Sequence, residues 1–276
     1  MDRVRAWLAL FRPHNAALAG AGVWLGYASL RSPRPDPALA FWGCLAMLLL
    51  TAAGNADNDA CDLEADRINH PDRPLPSGSL KSGPARFAAF LLYALGAAAA
   101  LLVSPLHGAL ALGMAAMLLL YNRRLKGMPL LGNLAVSLLC ALAIYFPEFP
   151  SLPVFTLPAC LFALLATLAR ELVKDLEDLE GDNAAGLRTF PVVAGISKTR
   201  KLAFALTAVV LALMPLPTAY LGYGPGYAVL SLLSAAPLLL LLLRDMFRPN
   251  PDYGRCRRRF KWLMLAGMAA LTAGMI

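Results

Sequence analysis

The chain has 276 residues, of which 59% are hydrophobic and only 15% are charged. Ordinary soluble domains carry about 25% charged residues, so this composition excludes a soluble globular protein and predicts a polytopic membrane protein. The net charge of +8 would also suit a nucleic-acid-binding protein. The distribution of the basic residues between the loops instead indicates how the chain is oriented in the membrane, so no nucleic-acid partner is expected.

Nine apolar segments follow one another along the chain. They lie at about 13–30, 39–57, 86–103, 107–121, 130–146, 153–174, 200–221, 226–243 and 260–276. A bilayer requires about 20 apolar residues per helix, and turn-forming residues such as Ser104 and Pro105 separate the segments. The expected fold class is therefore all-α, with nine transmembrane helices in a single domain over residues 1–276.

Lysine and arginine are distributed unevenly between the loops. All but two of the 25 basic residues lie at the N-terminus or in the regions after the second, fourth, sixth and eighth segments. The two exceptions are Arg31 and Arg34. Because positively charged loops stay in the cytosol, the N-terminus is expected to be cytosolic. An odd number of segments then places the C-terminus on the extracytosolic side.

Two similar acidic clusters, at 58–66 and 175–182, each follow a largely apolar stretch. Within each cluster, oxygen-bearing side chains stand three or four residues apart, a spacing that places them on one face of a helix. The candidate metal ligands are Asn58, Asp62, Asp66, Asp175, Asp178 and Asp182. Both clusters precede basic loops, so the charge pattern predicts that both open to the cytosol.

Carboxylates packed this closely repel one another, and each costs about 2.5–3.5 kcal/mol in the bilayer core. Two matched sets therefore indicate a bound cation. Hard oxygen ligands without His or Cys partners indicate Mg²⁺, which commonly bridges carboxylates to the phosphates of a substrate. The order of apolar, acidic and basic residues is similar in 50–66 and 165–182. This similarity predicts two related halves that bring the clusters to one central cavity.

Four sequence elements together resemble the UbiA superfamily of intramembrane prenyltransferases. Residues 58–78, with Asn58, Asp62 and Asp66 followed by a loop rich in Arg and Pro, are similar to its first signature. Residues 174–182 are similar to the second, residues 121–126 to its Tyr-x4-Lys element, and residues 12–15 to its first-helix entry. The elements occur in the order of that family.

This resemblance implies a helix bundle with a cytosolic cap, and two Mg²⁺ ions that bind the diphosphate of a prenyl donor. The isoprenoid tail would lie in a cavity that faces membrane lipid. The six candidate ligands would hold the ions, and the candidate substrate-binding residues are Asn15, Arg73, Tyr121, Lys126 and Lys174. The candidate catalytic residues are Asp62, Asp66, Asp178, Asp182 and Lys126.

The expected reaction is transfer of the prenyl group to a lipophilic acceptor. Residues 67–78 and the second motif are most similar to the branch that uses geranylgeranylglyceryl phosphate in ether-lipid synthesis. An aromatic or chlorin acceptor is the alternative, and a cation or proton transporter is an alternative of another class. The basic run 255–261 is expected to contact anionic lipid headgroups. Prenyl chain length and oligomeric state stay open.

Overall fold

A computed structural model describes residues 3–30, 36–152 and 156–275 of the protein. Arg31 and Arg34, the start of the sixth apolar segment at 153 and the last residue of the ninth lie outside these ranges. Within the ranges, every regular element is helical. The predicted all-α class is confirmed.

The described part of the chain contains fifteen α-helices. They are α1 (Arg3–Phe11), α2 (Pro13–Ser29), α3 (Pro37–Cys61), α4 (Leu63–Asn69), α5 (Ser82–Leu101), α6 (Pro105–Arg123), α7 (Leu131–Tyr145), α8 (Leu157–Glu177), α9 (Leu179–Ala184), α10 (Phe190–Ala194), α11 (Ile196–Leu213), α12 (Leu216–Tyr220), α13 (Pro225–Leu230), α14 (Ala236–Phe247) and α15 (Tyr253–Met275). A 3₁₀ turn at Leu125–Gly127 follows α6, and a π-helical turn at Ser231–Ala235 joins α13 to α14.

Six helical stretches in the described ranges are long and apolar enough to cross a membrane. They are Pro37–Cys61, Ser82–Leu101, Pro105–Arg123, Leu131–Glu148, Ile196–Tyr220 and Pro225–Phe247. Each coincides with one of the predicted apolar segments. The remaining predicted segments coincide with α2, which has 17 residues, and with the more charged helices α8 and α15.

Helix starts follow from local sequence. Pro13, Pro37 and Pro105 each open a helix, where the missing amide proton costs no hydrogen bond. The Asp36 side chain accepts a hydrogen bond from the amide of Ala38 at 2.8 Å, which caps the first turn of α3. These residues mark where α2, α3 and α6 begin.

The helices pack around two large cores. The first joins α2, α3, α5, α6 and α7, and the second joins α8, α11, α14 and α15. Alanines make up much of the first core, and small residues allow membrane helices to approach closely. A Cβ atom at Gly26 would lie 1.9 Å from the Ile144 carbonyl oxygen, so this α2–α7 contact requires glycine. Large apolar side chains such as Phe90 and Leu233 are instead mostly exposed on the outside.

Both acidic motifs contain a break between two helices. Asp62 separates α3 from α4, and Asp178 separates α8 from α9, with nearly the same backbone angles (φ −90°, ψ 11° and φ −90°, ψ 3°). The expectation that each ligand set lies along one helical face is therefore met only in part, because the last aspartate of each set stands on the second, short helix. The two short helices, α4 and α9, pack against each other.

Candidate active site

The side chain of Asn69, the last residue of α4, joins the two acidic motifs. Its amide nitrogen donates to the Asp178 carbonyl oxygen at 2.8 Å, and its amide oxygen accepts from the Gly181 backbone N–H at 3.0 Å. The neighbouring His70 places Nε2 3.1 Å from a carboxylate oxygen of Asp178. A Cβ atom at Gly181 would lie 2.3 Å from the Asn69 side chain, so any larger residue there would displace Asn69.

The carboxylates of the first motif are buried and paired with basic side chains. Lys126 donates a hydrogen bond to Asp62. Arg73 Nη1 lies 2.7 Å and 2.6 Å from the two carboxylate oxygens of Asp66. Burial alone would lower the pKa of Lys126, but the negative charge of Asp62 outweighs it and raises the pKa above its ordinary value. Lys126 is therefore a cation at neutral pH.

The amide groups of three asparagines complete the polar site. Asn133 donates to Asp175 at 2.8 Å. Asn58 donates to Asn122 at 3.3 Å, and Asn122 donates in turn to Asp57 at 3.0 Å. Asn58 and Asn122 are buried, and this chain of hydrogen bonds fixes the orientation of the first predicted ligand.

The pKa values of two aspartates of the second motif, Asp178 just before α9 and Asp182 within it, are shifted in opposite directions. Burial would raise the pKa of Asp178, but the hydrogen bond from His70 and the positive charge of Lys174 outweigh it and lower the pKa to about 2. Burial raises the pKa of Asp182 to about 6, although Lys126 opposes the shift. Asp178 is therefore ionised at any physiological pH.

These groups fit Mg²⁺ that arrives together with a phosphate ligand. Among the described residues, no three His, Cys, Asp or Glu side chains converge as they would in a closed metal site. Mg²⁺ usually takes only one or two protein carboxylates and completes its shell with water and substrate phosphates. Asp62 and Asp66 are neutralised internally by Lys126 and Arg73, cations that can also bind a diphosphate.

A cavity of about 870 Å³ lies beside the motifs. Five of the predicted residues line it, namely Asn15, Asn58, Arg73, Tyr121 and Lys174. The other predicted residues are not in the lining, although Asp66 contacts Arg73, and Asp178 contacts His70, which also lines it. The remaining lining is largely apolar and reaches Leu25, Ile144 and Leu271, which lie toward the helix ends remote from the acidic motifs.

The sequence analysis missed several residues of this site. Asn69 and His70 lie within the segment that carries the family resemblance, but their role depends on contacts more than 100 residues away. Asp59 is not among the predicted site residues; it is 1% exposed and pairs with both Arg12 and Arg73. It orients two basic residues of the cavity.

The basic run 255–261, which is expected to contact lipid headgroups, also contributes two side chains to the cavity. Arg257 and Lys261 line the cavity. They stand four residues apart and so share one face of α15. Arg255, which precedes them, and Arg258, which lies between them, are exposed on other faces of the helix. The alternation of roles within one basic run is set by how α15 packs against α2 and α8.

Substituting Lys126 by Ala is expected to raise KM for the prenyl diphosphate about 10-fold, because one charged hydrogen bond to the site is lost. Lys126→Arg should retain part of the affinity, since the charge survives in a different shape. Initial rates at varied donor concentration measure both effects. Unchanged kcat and KM in Lys126→Ala would show that Lys126 acts only as a topology charge.

The fold and this site define an intramembrane enzyme that handles a phosphorylated lipid. Residues 17–265 match the UbiA prenyltransferase family, and the chain belongs to this family. It is therefore a membrane-embedded prenyltransferase and not a transporter. The six apolar helices agree with an integral membrane protein.

Individual relatives share most of the chain. It is 38% identical over 248 residues to digeranylgeranylglyceryl phosphate synthase from Methanoculleus marisnigri. The aligned region covers 89% of this chain and 86% of that protein. A solved structure reported for digeranylgeranylglyceryl phosphate synthase in membranes is 29% identical, with a TM-score of 0.74 and coverage of 100% and 99%. A UbiA homolog from Archaeoglobus fulgidus bound to GPP and Mg²⁺ shares the fold, at 19% identity, TM-score 0.71 and coverage of 96% and 99%.

Proposed function

We propose that the protein transfers a geranylgeranyl group from geranylgeranyl diphosphate to the free hydroxyl of geranylgeranylglyceryl phosphate, which forms an ether lipid. The observation that carries this proposal is the meeting of two acidic motifs beside a cavity that is polar at that end and apolar beyond it. An apolar cavity suits an isoprenoid tail. The choice of acceptor is supported by the relatives named digeranylgeranylglyceryl phosphate synthase.

Two Mg²⁺ ions are proposed to bind with the donor, one at each motif. Asn58, Asp62 and Asp66 would hold one ion, and Asp175, Asp178 and Asp182 the other. Bound Mg²⁺ would supply neutralisation of the diphosphate charge, which makes diphosphate a better leaving group. The A. fulgidus homolog was solved with GPP and Mg²⁺, and the oxygen-only set of proposed ligands agrees with that metal.

The protein residues are proposed to hold the donor and to exclude water. Lys126, Arg73 and Lys174 would bind diphosphate oxygens, Tyr121 would donate a hydrogen bond, and Asn15 would contact the substrate from α2. As the bond between C1 and oxygen breaks, positive charge develops on the allylic carbon, and the apolar lining keeps water from that carbon. The acceptor hydroxyl then attacks C1 and loses its proton to a carboxylate or to the released diphosphate.

Nine membrane crossings in two related halves are proposed, with a cytosolic N-terminus and an extracytosolic C-terminus. The basic loops support this orientation, and the division into two cores supports the halves. Residues 62–82 and 178–195, including α4, α9 and α10, would form a cytosolic cap over the active-site mouth.

A reporter fused after residue 276 tests this topology. A reporter that is active only outside the cytosol is expected to be active at the C-terminus, because an odd number of crossings separates it from the cytosolic N-terminus. The same reporter inserted in the exposed loop at Asp72, which belongs to the proposed cap, should be inactive. Activity of a cytosol-specific reporter at the C-terminus would show that one segment does not cross.

The acceptor is tested with purified protein, Mg²⁺ and labelled geranylgeranyl diphosphate. The panel contains geranylgeranylglyceryl phosphate, homogentisate and 4-hydroxybenzoate. We expect labelled ether lipid and released diphosphate only with the glyceryl phosphate. Product only from an aromatic acceptor would overturn the proposed acceptor and leave the prenyltransferase class intact.

A further inference from the structure

A second group of basic side chains lines the cavity apart from the six candidate metal ligands. Its members are His14 on α2, Arg170 on α8, and Arg257 and Lys261 on α15; we call it the mouth cluster. In the described part of the chain, none of its members forms an ion pair with a candidate metal ligand. The cluster is therefore separate from the cations that hold Asp62 and Asp66.

Lys261 is the member whose charge is not balanced. Arg170 pairs with Glu171, and Arg257 Nε lies 2.8 Å from Glu177. Lys261 Nζ lies 3.1 Å from His14 Nε2, and no Asp or Glu within the described ranges forms an ion pair with it. Because an ammonium group can only donate, Lys261 uses one N–H bond on neutral His14 and keeps two for a ligand.

A partly buried, unbalanced cation favours an anionic ligand. A phosphomonoester carries about −1.5 to −2 charges at neutral pH and three acceptor oxygens. Lys261 and the two neighbouring guanidinium groups, each only partly exposed, supply donors for those oxygens.

The mouth cluster also stands at a suitable distance from the donor site. Arg170 belongs to the cluster and Lys174 to the proposed diphosphate site, and Glu171 pairs with both. Four residues of helix correspond to about 6 Å. The phosphate of the glyceryl acceptor and its reacting hydroxyl stand on neighbouring carbons, and because the side chains of Arg170 and Lys174 are long, one glyceryl unit can contact both sites.

We propose that the mouth cluster, with Lys261 at its centre, binds the phosphate of the glyceryl acceptor and thereby directs its hydroxyl toward C1 of the donor. This inference rests on the proposed function. It assigns Lys261, Arg257, Arg170 and His14 to acceptor specificity, and leaves Lys126, Arg73 and Lys174 to the donor.

The test compares Lys261→Gln with the wild type in phosphatidylcholine nanodiscs, which present no net anionic headgroup. Lys261 is a cleaner probe than Arg257, since its removal leaves no carboxylate unpaired. We expect KM for geranylgeranylglyceryl phosphate to rise about 10-fold and KM for the donor to stay within about 2-fold, as one charged hydrogen bond is lost only to the acceptor. Lys261→Arg should recover part of the loss. Arg258→Gln, an exposed change on the same helix, is the matched control.

Binding of labelled geranylgeranylglyceryl phosphate without Mg²⁺ or donor gives a second readout and should weaken by the same factor in Lys261→Gln. Geranylgeranylglycerol, which lacks the phosphate, should react slowly and equally with wild type and variant. Adding phosphatidylglycerol should compete only weakly; competition as strong as that of the acceptor would identify a headgroup site and overturn the proposal.

Two further outcomes separate the hypotheses. A rise in the donor KM alone, or an equal loss with both acceptors, would overturn the mouth-cluster assignment while the proposed function stands. A wild-type protein that neither binds nor prenylates geranylgeranylglyceryl phosphate would overturn both.

Discussion

Asp62→Asn and Asp178→Asn are each expected to lower kcat/KM by at least about 100-fold, equivalent to about 2.7 kcal/mol of transition-state stabilisation. Asparagine keeps the size of the side chain and can still accept a hydrogen bond from Lys126 or His70, which hold these positions. It removes the negative charge that would bind Mg²⁺. The loss would therefore report on charge at the motif rather than on folding. Steady-state release of diphosphate in nanodiscs measures it.

Matched controls are present in the same motifs. Glu64 and Glu180 are exposed acidic residues of α4 and α9, and Glu64→Gln and Glu180→Gln should change kcat/KM less than about 2-fold. Chelation of Mg²⁺ should abolish turnover of the wild type, and added Mg²⁺ should restore it. Near-normal turnover in Asp62→Asn or Asp178→Asn would remove that residue from the metal site.

The helical spans were predictable because membrane insertion depends on local properties. About 20 apolar residues are enough to span a bilayer, and proline or a capping side chain marks where a helix begins, as at Pro37 and Pro105. The fourth predicted segment, the shortest, is a helix of 19 residues in the structure, Pro105–Arg123. The hydrophobicity of each segment and the residues at its ends were therefore enough to predict these helices.

The expectation of Mg²⁺ could also be drawn from the sequence, because side chains with oxygen ligands favour that metal. The contacts that join the motifs could not. Asn69 reaches Asp178 and Gly181 over more than 100 residues, and no local pattern distinguishes it from a turn residue. The same applies to Lys261 and His14, which are 247 residues apart in sequence. Such pairs depend on how the two helical cores pack together.

The breaks at Asp62 and Asp178 are also features that the local sequence did not predict. The i, i+4 spacing of Asn58, Asp62 and Asp66 fits a continuous helix, and the backbone hydrogen bonds Asp62 N–H to Asn58 O and Asp66 N–H to Asp62 O are both present, at 2.9 and 2.8 Å. The short helices that follow the two breaks, α4 and α9, are the ones that pack against each other. Because that contact is tertiary, the spacing of the ligands alone could not predict the breaks.

Asn69→Ala is expected to lower kcat/KM by roughly 10- to 100-fold, the usual effect of losing a residue that orients metal ligands. The substitution removes both hydrogen bonds that the Asn69 side chain makes to the second motif, so the two ligand sets are no longer held in one geometry. Because the aspartates themselves remain, the concentration of Mg²⁺ needed for half-maximal activity should rise, and saturating Mg²⁺ should recover part of the rate.

Asn69→Asp separates the two bonds. Its carboxylate can still accept from the Gly181 amide, but it cannot donate to the Asp178 carbonyl and adds a negative charge beside an ionised aspartate. If orientation of the motifs is what matters, Asn69→Asp should be at least as impaired as Asn69→Ala, although it retains one contact. The exposed Asn183 on α9 provides the control, and Asn183→Ala should behave as the wild type. Normal activity and an unchanged Mg²⁺ requirement in Asn69→Ala would show that α4 and α9 hold their positions without this side chain, and that the motifs are joined by the substrate itself.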